Sequence, residues 1–208
     1  MVKHSKTTPI HKTSVRTRRA YFDCRFGQLH VRTAFPTTGG FDEQVTLFCL
    51  HSSEGSSRTF ARFLPEIAVE RSVYAPDLPG SGESDPPPTP AAADAAAAIS
   101  DLANDLRLRQ IDVLGLRYGA EVAIALSNAR PELVRRLVLI SVPALEEAPA
   151  VSHKSLVLRN KLDTDAAQRM KGILPNTQFA DTSGNAEDLL DAAPEVLAKQ
   201  IGGFLLRP

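Results

Sequence analysis

The chain has 208 residues, enough for one domain with a sizeable core and short for two. Hydrophobic residues make up 43% of it and the formal net charge is +0, the profile of an ordinary globular protein. That balance gives no electrostatic footprint for nucleic acid or a membrane surface, and no run approaches the roughly 18 apolar residues of a spanning helix.

Charge is uneven only at the start. Residues 1–19 hold Lys3, Lys6, Lys12, Arg16, Arg18 and Arg19, with Ser and Thr between them and no acid. They read as a disordered basic tail ahead of a single folded domain, 20–208, although the same charges suit an address or an anion-binding arm. No charged-then-apolar stretch opens the sequence, so a cytoplasmic protein is expected. Cys24 and Cys49 sit in apolar, strand-like stretches and are expected to be reduced core residues. The histidines, His4, His11, His30, His51 and His153, lack metal-ligand spacing. Neither a metal nor a cofactor is expected.

Arg19–Phe26 and Gln28–Ala34 flank Gly27 and predict a hairpin with one exposed face. Gln44–Leu50, "QVTLFCL", is a continuous apolar run, as a strand buried on both faces requires. Ser56–Glu70 has helical spacing through Phe60, Phe63 and Ile67, and Ser72–Ala75 follows as a strand. After a loop rich in Gly and Pro, Thr89 and Pro90 predict a helix start, with Ile99, Leu102 and Leu106 on one face. Ile111–Leu126, "IDVLGLRYGAEVAIAL", reads as a strand, a turn between two glycines, and an alanine-rich helix that stops near Pro131. Strands are predicted at Leu137–Ser141, Ser155–Arg159 and Thr177–Ala180, and a closing helix from about Pro194. Strands alternating with helices imply a mainly parallel sheet covered on both faces.

Ligands of such sheets bind beyond the carboxyl ends of the strands. Near those ends the glycines at 80 and 82 form no phosphate-binding loop, because no Gly-Lys-Ser/Thr follows. "LHSSEGSS" lacks the glycine spacing of a dinucleotide site. His51 is expected to pack and hydrogen-bond at its strand end, Asp77 to bond its own loop, and His30 to be a surface hairpin residue.

Four stretches together resemble the α/β-hydrolase fold superfamily from Tyr21 to Leu206. They are "FCLHSSEGS", "VYAPDLPGSGESD", "VLGLRYGAEVAIALSNARPELVRRLVLIS" and "LLDAAPEVLAKQIGGFL". The resemblance implies a mainly parallel central sheet, helices on both faces and an N-terminal antiparallel hairpin. It also implies a Gly-x-Ser-x-Gly elbow that raises a nucleophile, a histidine after the last strand, and an acid. Gly115 and Gly119 are kept, but Arg117 stands at the nucleophile. A guanidinium has no lone pair to offer and stays protonated, so it cannot attack an acyl carbon. In "DTSGNAEDLL", Asn185 falls at the histidine, and an amide cannot shuttle a proton. Asp163 in "LVLRNKLDTD" matches the acid. Only "VPALEEAPAVSHK" stands where the family inserts a helical cap, so no cap domain is expected.

For Arg117 three roles stay open: an idle side chain in solvent, a cation beside the backbone donors of Ser53 and Tyr118, or a pair with Asp163. Ser52, Ser53, Arg117 and Tyr118 form the expected ligand-facing set. The elbow itself is expected to have relaxed, since no nucleophile needs holding in strain. The function these departures imply is a pseudohydrolase that binds a small anionic or acyl ligand. A protein partner or a second copy over the uncapped strand ends is the other binding role. The competing reading is a residual or unorthodox esterase-like hydrolase in which Asp163 or His51 activates water.

Overall fold

The computed structural model describes residues 15, 17–37, 44–142, 150–160, 171–182 and 184–206. An apolar run with no polar alternation has to be covered on both faces, and β3 (Thr46–Leu50) is buried at all five positions. Leu47 and Cys49 point into one core cluster, Phe48 and Leu50 into the other. Around it stand β1 (Thr17–Cys24), β2 (Gly27–Ala34), β4 (Val73–Pro76), β5 (Ile111–Leu116), β6 (Val134–Ile140), β7 (Lys154–Asn160) and β8 (Thr177–Thr182). The sheet order is β1-β2-β4-β3-β5-β6-β7-β8, with β1–β2 and β2–β4 antiparallel and the remaining pairs parallel. Helices α2 (Ala92–Asp105) and α3 (Tyr118–Ala129) cover one face. The other face carries α1 (Phe63–Ile67), α4 (Ala186–Ala192) and α5 (Pro194–Leu205). No cap is evident between β6 and β7, where residues 143–149 lie outside the described set.

Some local expectations shift. The single helix over Ser56–Glu70 is instead a 3-10 turn, Ser57–Phe60, followed by α1. Pro65 has no N–H to give a continuous helix, and restarting at Phe63 puts it in a first turn, where none is needed. Thr89 does not cap α2. Its hydroxyl donates to the Asp94 carboxylate at 2.8 Å, and the helix starts three residues on with Ala91 as its uncapped N-cap. Within segment 1–19, residues 17–19 already belong to β1, while 1–14 and 16 lie outside the described residues. β2 is not half-exposed: Leu29 and Val31 are buried in the cluster that holds Phe48 and Leu50, and His30, on the opposite face, is buried as well. Both cysteines are free thiols, and burial pushes the Cys49 thiol far up.

An ion network fastens the amino end of the sheet. Asp112, fully buried in β5, accepts from Arg135 Nε at 2.9 Å and Nη2 at 2.6 Å, and from Arg71 Nη1 at 3.2 Å. Burial alone raises its carboxyl, but these three N–H donors fit an ionised acceptor. Arg135 also donates to the Leu205 carbonyl and Arg136 to that of Phe204, satisfying the orphan carbonyls that end α5.

Candidate functional site

The carboxyl ends of β3, β5 and β6 lie side by side, about 4.8 Å apart in the hydrogen-bonding direction. Between β5 and α3 the chain reverses over one residue. Arg117 has φ 50° and ψ −113°, a conformation that strains a non-glycine residue by about 1–3 kcal/mol. The expected relaxation of the elbow has therefore not happened. Backbone packing explains why. A Cβ at residue 119 would strike the Leu50 carbonyl, and one at 115 would strike the backbone of Gly119 and Ala120. The Arg117 N–H donates to the Ile140 carbonyl at 3.0 Å, and its own carbonyl accepts from Ala120 N–H at 2.8 Å. None of these contacts depends on the side chain at 117. At the neighbouring strand end Ser141 shares the positive φ, also 50°.

The loop after β3 is a tight turn in which Gly55 N–H donates to the Ser52 carbonyl at 2.9 Å. Ser53 and Glu54 occupy its exposed central positions. Because Gly119 abuts the carbonyls of Leu50 and His51, this turn stands directly beside the start of α3. The backbone N–H groups of Ser53 and Tyr118 donate to no described group. Ser52 contributes differently from expectation: its carbonyl accepts from both Gly55 N–H and His51 Nδ1, so it shapes the turn.

The Arg117 side chain reaches across to α4. Its Nε donates to Glu187 Oε1 at 2.5 Å, with side-chain exposures of 58% and 20%. The Glu187 hydrogen bond, aided by the charge of Glu54, holds the guanidinium in its charged form even more firmly than usual. Asn185 caps α4, its Oδ1 accepting from Glu187 N–H at 3.1 Å. The position that the resemblance assigns to a histidine is thus a helix cap that also places the arginine's partner. Asp163 lies outside the described residues, and the carboxylate seen on Arg117 is that of Glu187.

His51 is fully buried. Its Nδ1 faces the Ser52 carbonyl at 2.6 Å, while Leu78 N–H donates to Nε2 at 2.8 Å. That arrangement fixes the neutral Nδ1–H tautomer, and burial lowers its pKa further. Neither nitrogen is left for water. His30 is a correction: it is 3% exposed, packed at a tilt against the Tyr21 ring and paired through Nδ1 with Asp77 at 2.9 Å. Asp77 also accepts from Ser57 N–H and Glu83 N–H, tying its own loop, the segment after β3 and strand β2 together. Burial alone would raise its carboxyl, but those donors and His30 leave it below the usual range.

Sequence reasoning missed Glu187 and the depth of His30. An acid in a helix's first turn reads as a dipole partner, and nothing in its spacing points to a residue 70 positions away.

Among the described residues no group of three metal-capable side chains gathers, and no helix is long and apolar enough to cross a membrane. The alpha/beta hydrolase fold matches residues 45–190 of the chain. The chain belongs to the alpha/beta hydrolase fold family. Uncharacterized protein Rv2715 of Mycobacterium tuberculosis is 27% identical over 176 residues, covering 77% of this chain and 52% of that protein. The 2-hydroxymuconate semialdehyde hydrolase of Pseudomonas sp. strain CF600 is 34% identical over 118 residues, covering 50% and 41%. This chain thus spans about half the length of the curated relatives it matches. A CIB-like hydrolase from Thermoplasma acidophilum superposes with a TM-score of 0.79 at 15% identity, over 92% of this chain and 98% of that one. That likeness concerns the fold. Within this hydrolase-fold family, the elbow of this chain is formed in backbone and carries Arg117 at its tip.

Proposed function

We propose that this chain is a non-catalytic alpha/beta hydrolase fold protein that binds a small anionic or acyl ligand at the elbow. The observation that carries this reading is Arg117 at the tip of a fully formed turn, φ 50° and ψ −113°, engaged with Glu187. A permanently protonated fork supplies no attacking electron pair. Asn185 supplies no proton relay, and both nitrogens of His51 are occupied by backbone groups. What persists is the part of the machinery made of backbone. The N–H groups of Ser53 and Tyr118 remain without an acceptor among the described residues, as donors for a ligand oxygen.

The test is hydrolysis of p-nitrophenyl butyrate by the natural chain and by the R117S/N185H double variant. The natural chain is expected to stay at the buffer rate and the double variant to exceed it. Turnover by the natural chain that Asp163→Asn removes would overturn the reading in favour of an unorthodox hydrolase.

A protein partner is the second reading, and one observation shifts where it would dock. Of the four exposed large hydrophobics among the described residues, Val69, Val196 and Leu206 lie on or beside α1 and α5, not at the strand ends. Val69 and Leu206 line one groove there.

A further inference from the structure

The charges around Arg117 bear on which ligand the elbow accepts, an inference that rests on the binding role proposed above. We propose that Glu187 is a tethered competitor that occupies Arg117 in place of a ligand carboxylate and so makes the site discriminate against carboxylates. Its carboxylate already sits 2.5 Å from Arg117 Nε, in the charge-assisted geometry a bound carboxylate would adopt. It is held there twice over. The Asn185 cap fixes the backbone of Glu187 at 3.1 Å, and the Glu187 side chain is only 20% exposed. Glu54, in the exposed turn Ser52–Gly55, adds a second negative charge attracted to the same guanidinium.

A free carboxylate at this site faces two acidic side chains and one cation. To take the Nε edge of the guanidinium it must evict Glu187, and the Nη groups it can still reach belong to a cation whose charge Glu187 already balances. A neutral carbonyl oxygen needs only the N–H groups of Ser53 and Tyr118, and the Arg117–Glu187 pair stays closed beside it. Selectivity built this way works by repelling the wrong ligand as well as attracting the right one. Glu187 is therefore a specificity-determining residue that acts through the cation beside the site and not by touching the acyl group.

Isothermal titration with hexanoate and hexanamide separates the possibilities, using the natural chain, E187Q and R117A/E187Q. The glutamine keeps the shape of the side chain and its place after the cap, and melting curves check that each variant folds. The natural chain is expected to favour hexanamide. In E187Q the preference should move toward hexanoate by about threefold, the scale of a solvent-exposed ion pair. Removing Arg117 as well should abolish that shift. If the probes bind but E187Q leaves their ratio unchanged, or the shift survives in R117A/E187Q, the assignment of Glu187 fails while the binding role stands. If neither probe binds the natural chain or E187Q, the binding role fails and takes this inference with it.

Discussion

At the amino end of the sheet Asp112 lies fully buried between Arg71 and Arg135, while Arg135 and Arg136 clasp the carbonyls that end α5. At the carboxyl end Arg117 meets Glu187 through a single hydrogen bond, with the guanidinium more than half exposed. The two arrangements use the same chemistry in different dielectrics. In the first, Asp112 and Arg71 have been taken out of water, Arg135 is only partly exposed, and the buried partners are indispensable to one another. In the second, water competes for the arginine, the pair contributes little to stability, and it is free to exchange. The ion network that holds the fold and the ion pair at the proposed site are thus separated by the length of the strands.

The comparison breaks most readily at Asp112. Asp112→Ala leaves the buried Arg71 without its carboxylate and is expected to lower unfolding free energy in urea by about 3–5 kcal/mol. A loss below about 1 kcal/mol would mean the amino-end network is as dispensable as a surface pair. Next in size is Gly119→Ala, whose methyl has to displace the Leu50 carbonyl. It should destabilise by about 1–3 kcal/mol, as overpacking does, and it should do so equally in an Arg117→Gly background. Arg117→Gly alone removes the left-handed strain and is expected to stabilise by on the order of 1 kcal/mol, strain relief outweighing the extra freedom of the unfolded chain. Smallest is the coupling of Arg117 to Glu187. A double-mutant cycle with R117A and E187A should give less than about 1 kcal/mol, because solvent screens a pair this exposed. A larger coupling would make it a structural tie like that of Asp112.

Much of the fold was legible because apolar periodicity maps directly onto cover. The continuous run of β3 and the glycine-flanked turn after β5 could hardly be anything else in a two-faced sheet. The break near Pro65 was also present in the sequence, but helical spacing through Phe60, Phe63 and Ile67 masked it. His30 was misjudged because a hairpin suggests exposure, whereas its burial depends on β4 pairing on the far side of β2 and on Tyr21 lying over it. At the site, the presence of Arg117 and Asn185 where the family resemblance places a nucleophile and a base could be read from the sequence alone. The survival of the strained elbow could not, because it is imposed by Leu50 and Ile140 from neighbouring strands. Glu187 was hidden for the same reason: a partner brought by topology leaves no pattern along the chain.

The central claim is that the elbow keeps its shape and has lost its covalent step. Intact-mass measurement after exposure to an aryl phosphonate ester tests it most directly, with the natural chain beside R117S/N185H. The natural chain is predicted to keep its mass while the double variant gains one adduct, mapped by peptide fragmentation to residue 117. An adduct on the natural chain at any residue of the elbow or the turn beside it would contradict the claim.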